Sequence, residues 1–184
     1  MSIGTKVLNF YSFNKCKIEE DTIKKIDKTQ FIKLIEENKL PLYRLAKSIV
    51  KNEHDVQDVV NEAIVKAYEN LERLKSRESF KSWLMRILVN ECYTLLNRKK
   101  KIKLEENMAV YNICYKESDS YELMSEIKKL ELDFRTVLIL FYYEDMSIKS
   151  ISEVLSISQG TVKSRLSRAK AKLKTILEES EGGI

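Results

Sequence analysis

Residues 147–177 read SIKSISEVLSISQGTVKSRLSRAKAKLKTIL. In the first part of this stretch Ile148, Ile151, Val154 and Leu155 recur at helical spacing, and in the second part Val162, Leu166, Ala169, Leu173, Ile176 and Leu177 do the same. Apolar residues at i, i+3, i+4 and i+7 form one buried stripe of a helix. The stretch therefore predicts two amphipathic helices meeting at a tight turn. At ~100° per residue, the face opposite Val162 carries Thr161, Ser164, Ser167, Arg168 and Ala171. Such a face is small, polar and positive, which is what a DNA major groove accepts. A basic helix that is merely solvated has the same pattern, so this stretch alone leaves both readings open.

Charge favours the first. The stretch holds seven basic residues (Lys149, Lys163, Arg165, Arg168, Lys170, Lys172 and Lys174) against one acidic residue, Glu153. That surplus of six exceeds the net charge of +5 for the whole 184-residue chain, so the remainder is slightly acidic. Positive charge confined to one segment is the footprint of phosphate binding.

The composition bounds the fold. With 43% hydrophobic and 33% charged residues, the chain can build cores under a heavily charged surface. Four Gly and one Pro are too few for a β-rich or loop-rich fold, so an all-α fold is expected. The length suits one ordinary domain or two small ones. Cys16, Cys92 and Cys114 are odd in number and widely spaced; they imply neither a metal site nor a disulfide framework, and they fit packing residues in a reducing cytosol. His54 is the single histidine, in the polar context Asn52, Glu53 and Asp55, and reads as a helix-start or surface residue. A lone histidine opposes Ser-His or Cys-His catalysis and multi-His metal binding. No run reaches the roughly 18 apolar residues of a membrane span, and no signal peptide is evident: Asn9, Ser12 and Asn14 interrupt the mildly apolar residues 7–13. A soluble, cytoplasmic chain without membrane insertion, cofactor, metal or catalytic set is the expectation.

Along the chain, residues 1–28 show no clean period and form an N-terminal extension. Thr29 is placed to cap a helix over residues 30–38, and Pro41 to start a second over residues 41–51. Asp55 opens a third helix through residue 71. Residues 75–79 read as a loop, with Ser79 capping a fourth helix from Phe80 to about Arg98 that buries Trp83, Leu84, Ile87, Leu88 and Leu95. The basic run Arg98, Lys99, Lys100 and Lys101 then lies at a helix end, favoured by the dipole and available to phosphates. Residues 102–120 read as a linker, and residues 121–178 as a second helical domain that ends in the helix-turn-helix, with a tail at 179–184. The chain is thus expected to form two small helical domains, residues 29–101 and 121–178.

With these elements placed, the chain resembles the extracytoplasmic-function sigma factors, small two-domain specificity subunits of bacterial RNA polymerase. The resemblance covers residues 30–177 and is strongest in GTVKSRLSRAKAKL, residues 160–173, together with Arg135-Thr136-Val137 and Tyr142-Tyr143-Glu144-Asp145. In the first domain DVQDVVNEAIVKAY, residues 55–68, is similar to the family's polymerase-binding helix. The run Phe80-Lys81-Ser82-Trp83-Leu84, then Asn90 and the basic run, is similar to its promoter-melting segment.

The resemblance implies a division of labour. Asp58, Asn61 and Glu62 match the surface that docks on the clamp helices of the largest polymerase subunit, and the second domain meets the flap of the second-largest. Lys75, Ser76, Arg77, Ser79, Trp83, Asn90, Arg98, Lys99, Lys100 and Lys101 fall to the −10 region. There a flipped base would occupy a pocket at the loop, at a cost of a few kcal/mol offset by new contacts. Trp83 can be read as a stacking platform or as a core residue among Phe80, Leu84 and Ile87. For the −35 element, Lys163, Ser164, Ser167 and Arg168 match the readers of base edges and nearby phosphates, and Thr161 and Arg165 the phosphate-touching or orienting positions. A membrane-bound anti-sigma factor is the implied regulator. The chain departs from the family pattern at Glu131, often Pro; at Ser150 and Ser152, commonly Glu and Ala; and at Ser156, commonly Gly. The alternatives are a stand-alone helix-turn-helix regulator, which has no reason to carry both a docking face at 55–68 and the run at 98–101, and an enzyme targeted to DNA. The second lacks a phosphate-cradling loop, metal cluster or nucleophile–base set.

Overall fold

Asp27 and Gln30 set the start of the first helix. The Asp27 side chain accepts from the Gln30 amide at 2.8 Å, and the Gln30 side chain accepts from the Asp27 amide at 3.2 Å. This reciprocal cap places the helix start before Thr29, which lies inside it, and contributes about 1 kcal/mol. The computed structural model describes residues 26–106 and 122–181. Within them run α1 (Lys28–Ile49), α2 (Glu53–Glu69), α3 (Phe80–Glu106), α4 (Glu122–Lys129), α5 (Leu132–Leu138), α6 (Ile148–Leu155) and α7 (Gln159–Glu181). A 3-10 turn at Leu71–Arg73 and a π-helical turn at Ile139–Tyr143 join them, and the described residues hold no strand. The fold is all-α, as expected. Most of the extension and of the linker, with Cys16 and Cys114, lies outside the described residues.

The two predicted helices around Pro41 are one. α1 runs through the proline without interruption. A proline in a helix interior costs about 3 kcal/mol, because it has no N–H to donate and its ring presses on the carbonyl four residues back. Here that carbonyl belongs to Glu37, an exposed residue, so water can serve it. On the other face Leu42, Leu45 and Ala46 are fully buried and Ile49 nearly so. At roughly 1.5–3 kcal/mol per large buried side chain, the packing outweighs the break. Local punctuation at Pro41 predicted a boundary; tertiary burial overrode it.

α2 starts two residues before Asp55, because the Asn52 side chain accepts from the amides of His54 (2.9 Å) and Asp55 (3.4 Å). Val56, Val59, Ala63 and Ala67 form its buried stripe. α3 extends past the expected end at Arg98 to Glu106. It buries two adjacent faces. Phe80, Leu84 and Leu88 pack with the rest of the first domain, and Met85, Val89 and Cys92 form a second buried line. Lys81, at the head of that second line, bonds to Glu144 of the C-terminal half. Trp83, Ile87 and Leu95, expected in the core, are half-buried. Met85, Val89 and Cys92 were missed: α3 packs on α6 as well as on α1 and α2, and periodicity within α3 could not announce that.

In the C-terminal half α5 is buried almost all round, through Thr136, Val137 and Leu138. The π-helical turn then carries the chain to Glu144, whose amide donates to the Ile139 carbonyl at 3.1 Å. Asp145 comes next at φ 51°, a conformation a short polar side chain tolerates. α6 begins at the cap Ser147, whose hydroxyl accepts from the Ser150 amide at 3.1 Å. It ends at Ser156, at φ 54° and ψ 42°. This is the left-handed conformation that glycine, common at this position in the family pattern, serves best, and serine there costs about 1 kcal/mol.

Candidate nucleic-acid interface

The second helix of the pair is held by its apolar stripe. Val162, Leu166 and Ala169 are buried, while Leu173, Ile176 and Leu177 are half-buried. Its first turn is capped by Ser158, whose hydroxyl accepts from the Thr161 amide at 3.0 Å and lies 2.8 Å from the Thr161 hydroxyl. Thr161 is thereby half-buried and engaged in the cap. Ser164, Ser167 and Arg168 are exposed together, as the helical wheel required, and so is Lys163, which the family resemblance had added. Ser164 donates to the Thr161 carbonyl at 3.0 Å, which fixes its rotamer. Arg165 sits differently: its guanidinium pairs with Asp133 at 2.5 Å and is only 27% exposed. Lys172 pairs with Glu131 at 2.6 Å above the Phe134 ring, so two of the helix's cations are tied to its own domain.

The residues assigned to the −10 region line α3 and the loop before it. Lys75 and Arg77 are exposed. Ser76 and Ser79 hook the loop together: the Ser79 hydroxyl donates to the Ser76 carbonyl at 2.8 Å, and the Ser79 amide donates to the Ser76 hydroxyl at 3.3 Å. The Ser79 hydroxyl therefore braces the loop instead of capping α3, although its carbonyl accepts the first bond of the helix, from Trp83, at 2.9 Å. Glu78 is held below the usual carboxylate range by its own backbone amide and by the Ser76 hydroxyl. Trp83 is half-buried, its ring 6.0 Å from that of Phe80, and Asn90 is exposed two turns along the same side. Arg98, Lys99, Lys100 and Lys101 are exposed, but inside α3 and not at its end, so the dipole gives them nothing. Lys99 already holds Asp55 at 2.5 Å.

On α2, Asp58, Asn61 and Glu62 are exposed on one face. Asp58 meets the Nδ1 of His54 at 3.0 Å, and Glu62 meets Lys66 at 3.3 Å. Lys66 also bonds Glu91 of α3 at 2.6 Å, which raises its pKa above the usual lysine value and links the two helices. Val65, 52% exposed, lies one turn beyond Glu62 on this face. Val65 lies off the core stripe of α2 and carries no charge, so neither the core spacing nor the polar face singled it out. A second missed feature is a groove of about 520 Å³ in the C-terminal half, lined by Leu123, Ile127, Leu138, Tyr142, Leu173 and Leu177. Separate elements contribute to it, and no single sequence window shows it.

Two family models match the chain: Sigma-70 region 2 over residues 34–102, and Sigma-70, region 4 over residues 120–173. The chain is 34% identical over 152 residues to the RNA polymerase sigma factor SigV of Bacillus subtilis (strain 168), covering 79% of this chain and 90% of that protein. It belongs to the extracytoplasmic-function sigma factors. The ECF RNA polymerase sigma factor SigW of the same organism is 27% identical over 175 residues, covering 85% of this chain and 94% of that one. Among solved structures, the sigma factor RpoE in complex with the anti-sigma factor NepR from Bartonella quintana shares the fold, with a TM-score of 0.70 and 22% identity over 82% of this chain and 98% of that chain. CnrH, in complex with the cytosolic domain of CnrY, gives 0.62 at 27% identity over 83% of this chain and 90% of that chain.

In this sigma factor the region 2 match spans most of α1, all of α2 and the bulk of α3, and the region 4 match spans α4 to the middle of α7. The −35 candidates fall in the second match and the −10 and docking candidates in the first. No helix of the described residues is long and apolar enough to cross a membrane.

Proposed function

We propose that this sigma factor binds core RNA polymerase in the cytoplasm and makes no bond of its own. Its part is to direct the polymerase to one set of promoters. Residues 29–101 act as the domain that docks on polymerase and melts the −10 element, and residues 121–178 as the domain that reads the −35 element. The observation that carries this reading is the face of α7, where Lys163, Ser164, Ser167 and Arg168 stand exposed together over the buried stripe Val162, Leu166 and Ala169. That is a positive, small-residue surface presented by a rigid helix, the form a major groove takes up.

Asp58, Asn61, Glu62 and the exposed Val65 form the docking face for the clamp helices. The apolar groove beside Tyr142 and Leu173 suits an apolar helix tip such as the polymerase flap. Trp83, Asn90 and the loop at 75–79 lie where an unpaired base could stack and be held. An anti-sigma factor, membrane-bound, is the expected antagonist; one structural relative was solved with the anti-sigma factor NepR and another with the cytosolic domain of CnrY. No cofactor or metal has a part in this scheme.

Charge reversal on the docking face tests the assignment. Asp58→Lys combined with Glu62→Lys is expected to weaken binding to core polymerase by an order of magnitude or more while leaving helical content unchanged. Unchanged core affinity in that variant refutes the α2 assignment.

A further inference from the structure

The apolar groove of about 520 Å³ in the C-terminal half is open to solvent, with Leu123 and Tyr142 about half exposed on it and Tyr143 at its edge. Apolar surface of this kind marks a place where another group packs. A second concavity, a cleft of about 180 Å³, lies on the other side of α4. Leu123 and Ile127 line the groove, whereas Met124 and Lys128 line the cleft. Met124 and Leu40, which is 62% exposed, give the cleft an apolar side. Arg44, Lys47, Lys128 and Arg135 line the rest of it, and no carboxylate does. The buried Arg135 donates to the carbonyls of Ser48, Lys128 and Leu130 and holds no ion pair among the described residues. Burial lowers its pKa accordingly. Arg44 joins the two hollows, because its guanidinium lies over the Tyr143 ring at 5.4 Å.

The chain carries a segment of matching chemistry outside the described residues. Residues 1–25 hold the apolar cluster Val7, Leu8, Phe10, Tyr11 and Phe13 and then the acidic triplet Glu19-Glu20-Asp21. They join α1 through Ile26, which packs against the core. Reach follows the same order. At about 1.5 Å of rise per residue, Leu40 of the cleft lies about 20 Å along α1 from Asp27, and Arg44 about 26 Å. At about 3.3 Å per extended residue, Glu19 reaches about 23 Å from Ile26 and Phe13 about 43 Å. The triplet therefore arrives at the cationic cleft, while the apolar cluster extends past Tyr143 to the groove. Acid meets base in the first hollow, and apolar meets apolar in the second.

We propose that the N-terminal extension occupies these two hollows, with Glu19, Glu20 and Asp21 on the cations of the cleft and Phe10 with its apolar neighbours in the groove. A tethered segment meets its site at an effective concentration on the order of millimolar, so a weak contact is enough to fill it. The docking itself does not depend on polymerase. Its effect on polymerase rests on the proposed function: an apolar helix tip that enters the groove has to displace the extension, and its apparent affinity falls by the fraction of grooves that are free.

Photo-cross-linking of the full chain tests the docking. The photoreactive p-benzoylphenylalanine replaces Phe10, the protein is irradiated without polymerase, and the linked peptides are mapped by mass spectrometry. The major link is expected to join position 10 to Leu123, Tyr142, Tyr143 or Leu173 of the same molecule, at a yield unchanged on dilution. The charge-reversed variant Glu19→Lys/Glu20→Lys/Asp21→Lys is expected to lower that yield several-fold. Links confined to other surfaces, or no preferred link, overturn the docking. A yield that falls on dilution gives the groove to a second copy and overturns it as well. A charge-reversed variant that links as fully as the wild type overturns the part assigned to the cleft. Titration of core polymerase with Phe10→Ser/Phe13→Ser, whose changes lie outside the described helices, then reads the competition. Several-fold tighter binding is expected, and unchanged affinity overturns the competition. If no form binds core, the polymerase reading falls, while cross-linking still decides the docking.

Discussion

The carboxylate of Glu144 receives the guanidinium of Arg44 at 2.5 Å, 100 residues away in the chain and on the other side of the boundary between the two halves. The π-helical turn at Ile139–Tyr143 makes this meeting possible. One extra residue in a turn re-aims the next side chains, and here it sends Glu144 inward, where an ordinary helix end would leave a glutamate in water.

Arg44→Ala leaves that carboxylate with Lys81 as its remaining cation, at a cost of about 1–3 kcal/mol. Trp83 is the sole tryptophan and reports on the N-terminal half. In urea, tryptophan fluorescence and far-ultraviolet dichroism are expected to change together in the wild type and to separate in Arg44→Ala, as the halves lose their coupling. Coincident transitions at an unmoved midpoint would show that the pair contributes nothing.

Ser156 offers a gain. At φ 54° its β-carbon is strained, and Ser156→Gly relieves about 1 kcal/mol at an exposed position. The thermal midpoint is expected to rise by roughly 2–4 °C. A fall means that the looser unfolded chain outweighs the relief.

On α7, Lys163 and Arg168 are exposed and hold no ion pair among the described residues, whereas Arg165 is paired with Asp133. Removing Arg168 or Lys163 is expected to weaken promoter use by about 1–3 kcal/mol for a base contact, or to lower the salt slope by about one for a phosphate contact. Core binding stays intact in both. Arg165→Ala differs in that it also frees Asp133, so a loss of thermal stability accompanies any loss of promoter use. Equal and purely DNA-directed effects at all three positions would contradict the distinction.

Cys92 gives a pH dependence. Burial pushes its thiol up to about 12, with the charge of Glu91 adding to the rise. The folded state thus disfavours the thiolate, and the unfolded chain releases its proton near pH ~8.5. Stability from this group is complete below that pH and is lost as pH climbs towards 12, at just over about 1 kcal/mol per pH unit. Burial also raises Tyr93, which acts in the same direction. Cys92→Ala is expected to flatten the alkaline limb of the stability profile. An unaltered limb would place the loss elsewhere.

Much of this architecture was legible beforehand where one helix face meets one core. The stripe Val162, Leu166 and Ala169 and the exposed Ser164, Ser167 and Arg168 derive from spacing within one window, while Lys163 and the turn at Ser156 were picked out by the family resemblance. Spacing could not carry burial contributed by a second domain. Met85, Val89 and Cys92 on α3, the passage of α1 through Pro41, and the fate of Glu144 each depend on partners far away in the chain. The same holds for the groove beside Tyr142. Caps lay in between: Asp27 and Asn52 are good capping residues, but Thr29 and Asp55 looked equally suitable until geometry chose.

The central claim is tested most directly by transcription. Purified protein is added to core RNA polymerase freed of sigma factors, with promoter DNA, and initiation is mapped. The account predicts specific initiation that depends on this protein and falls when Lys163 and Arg168 are replaced. Tight promoter binding by the protein alone, with no start directed from core polymerase, would contradict it.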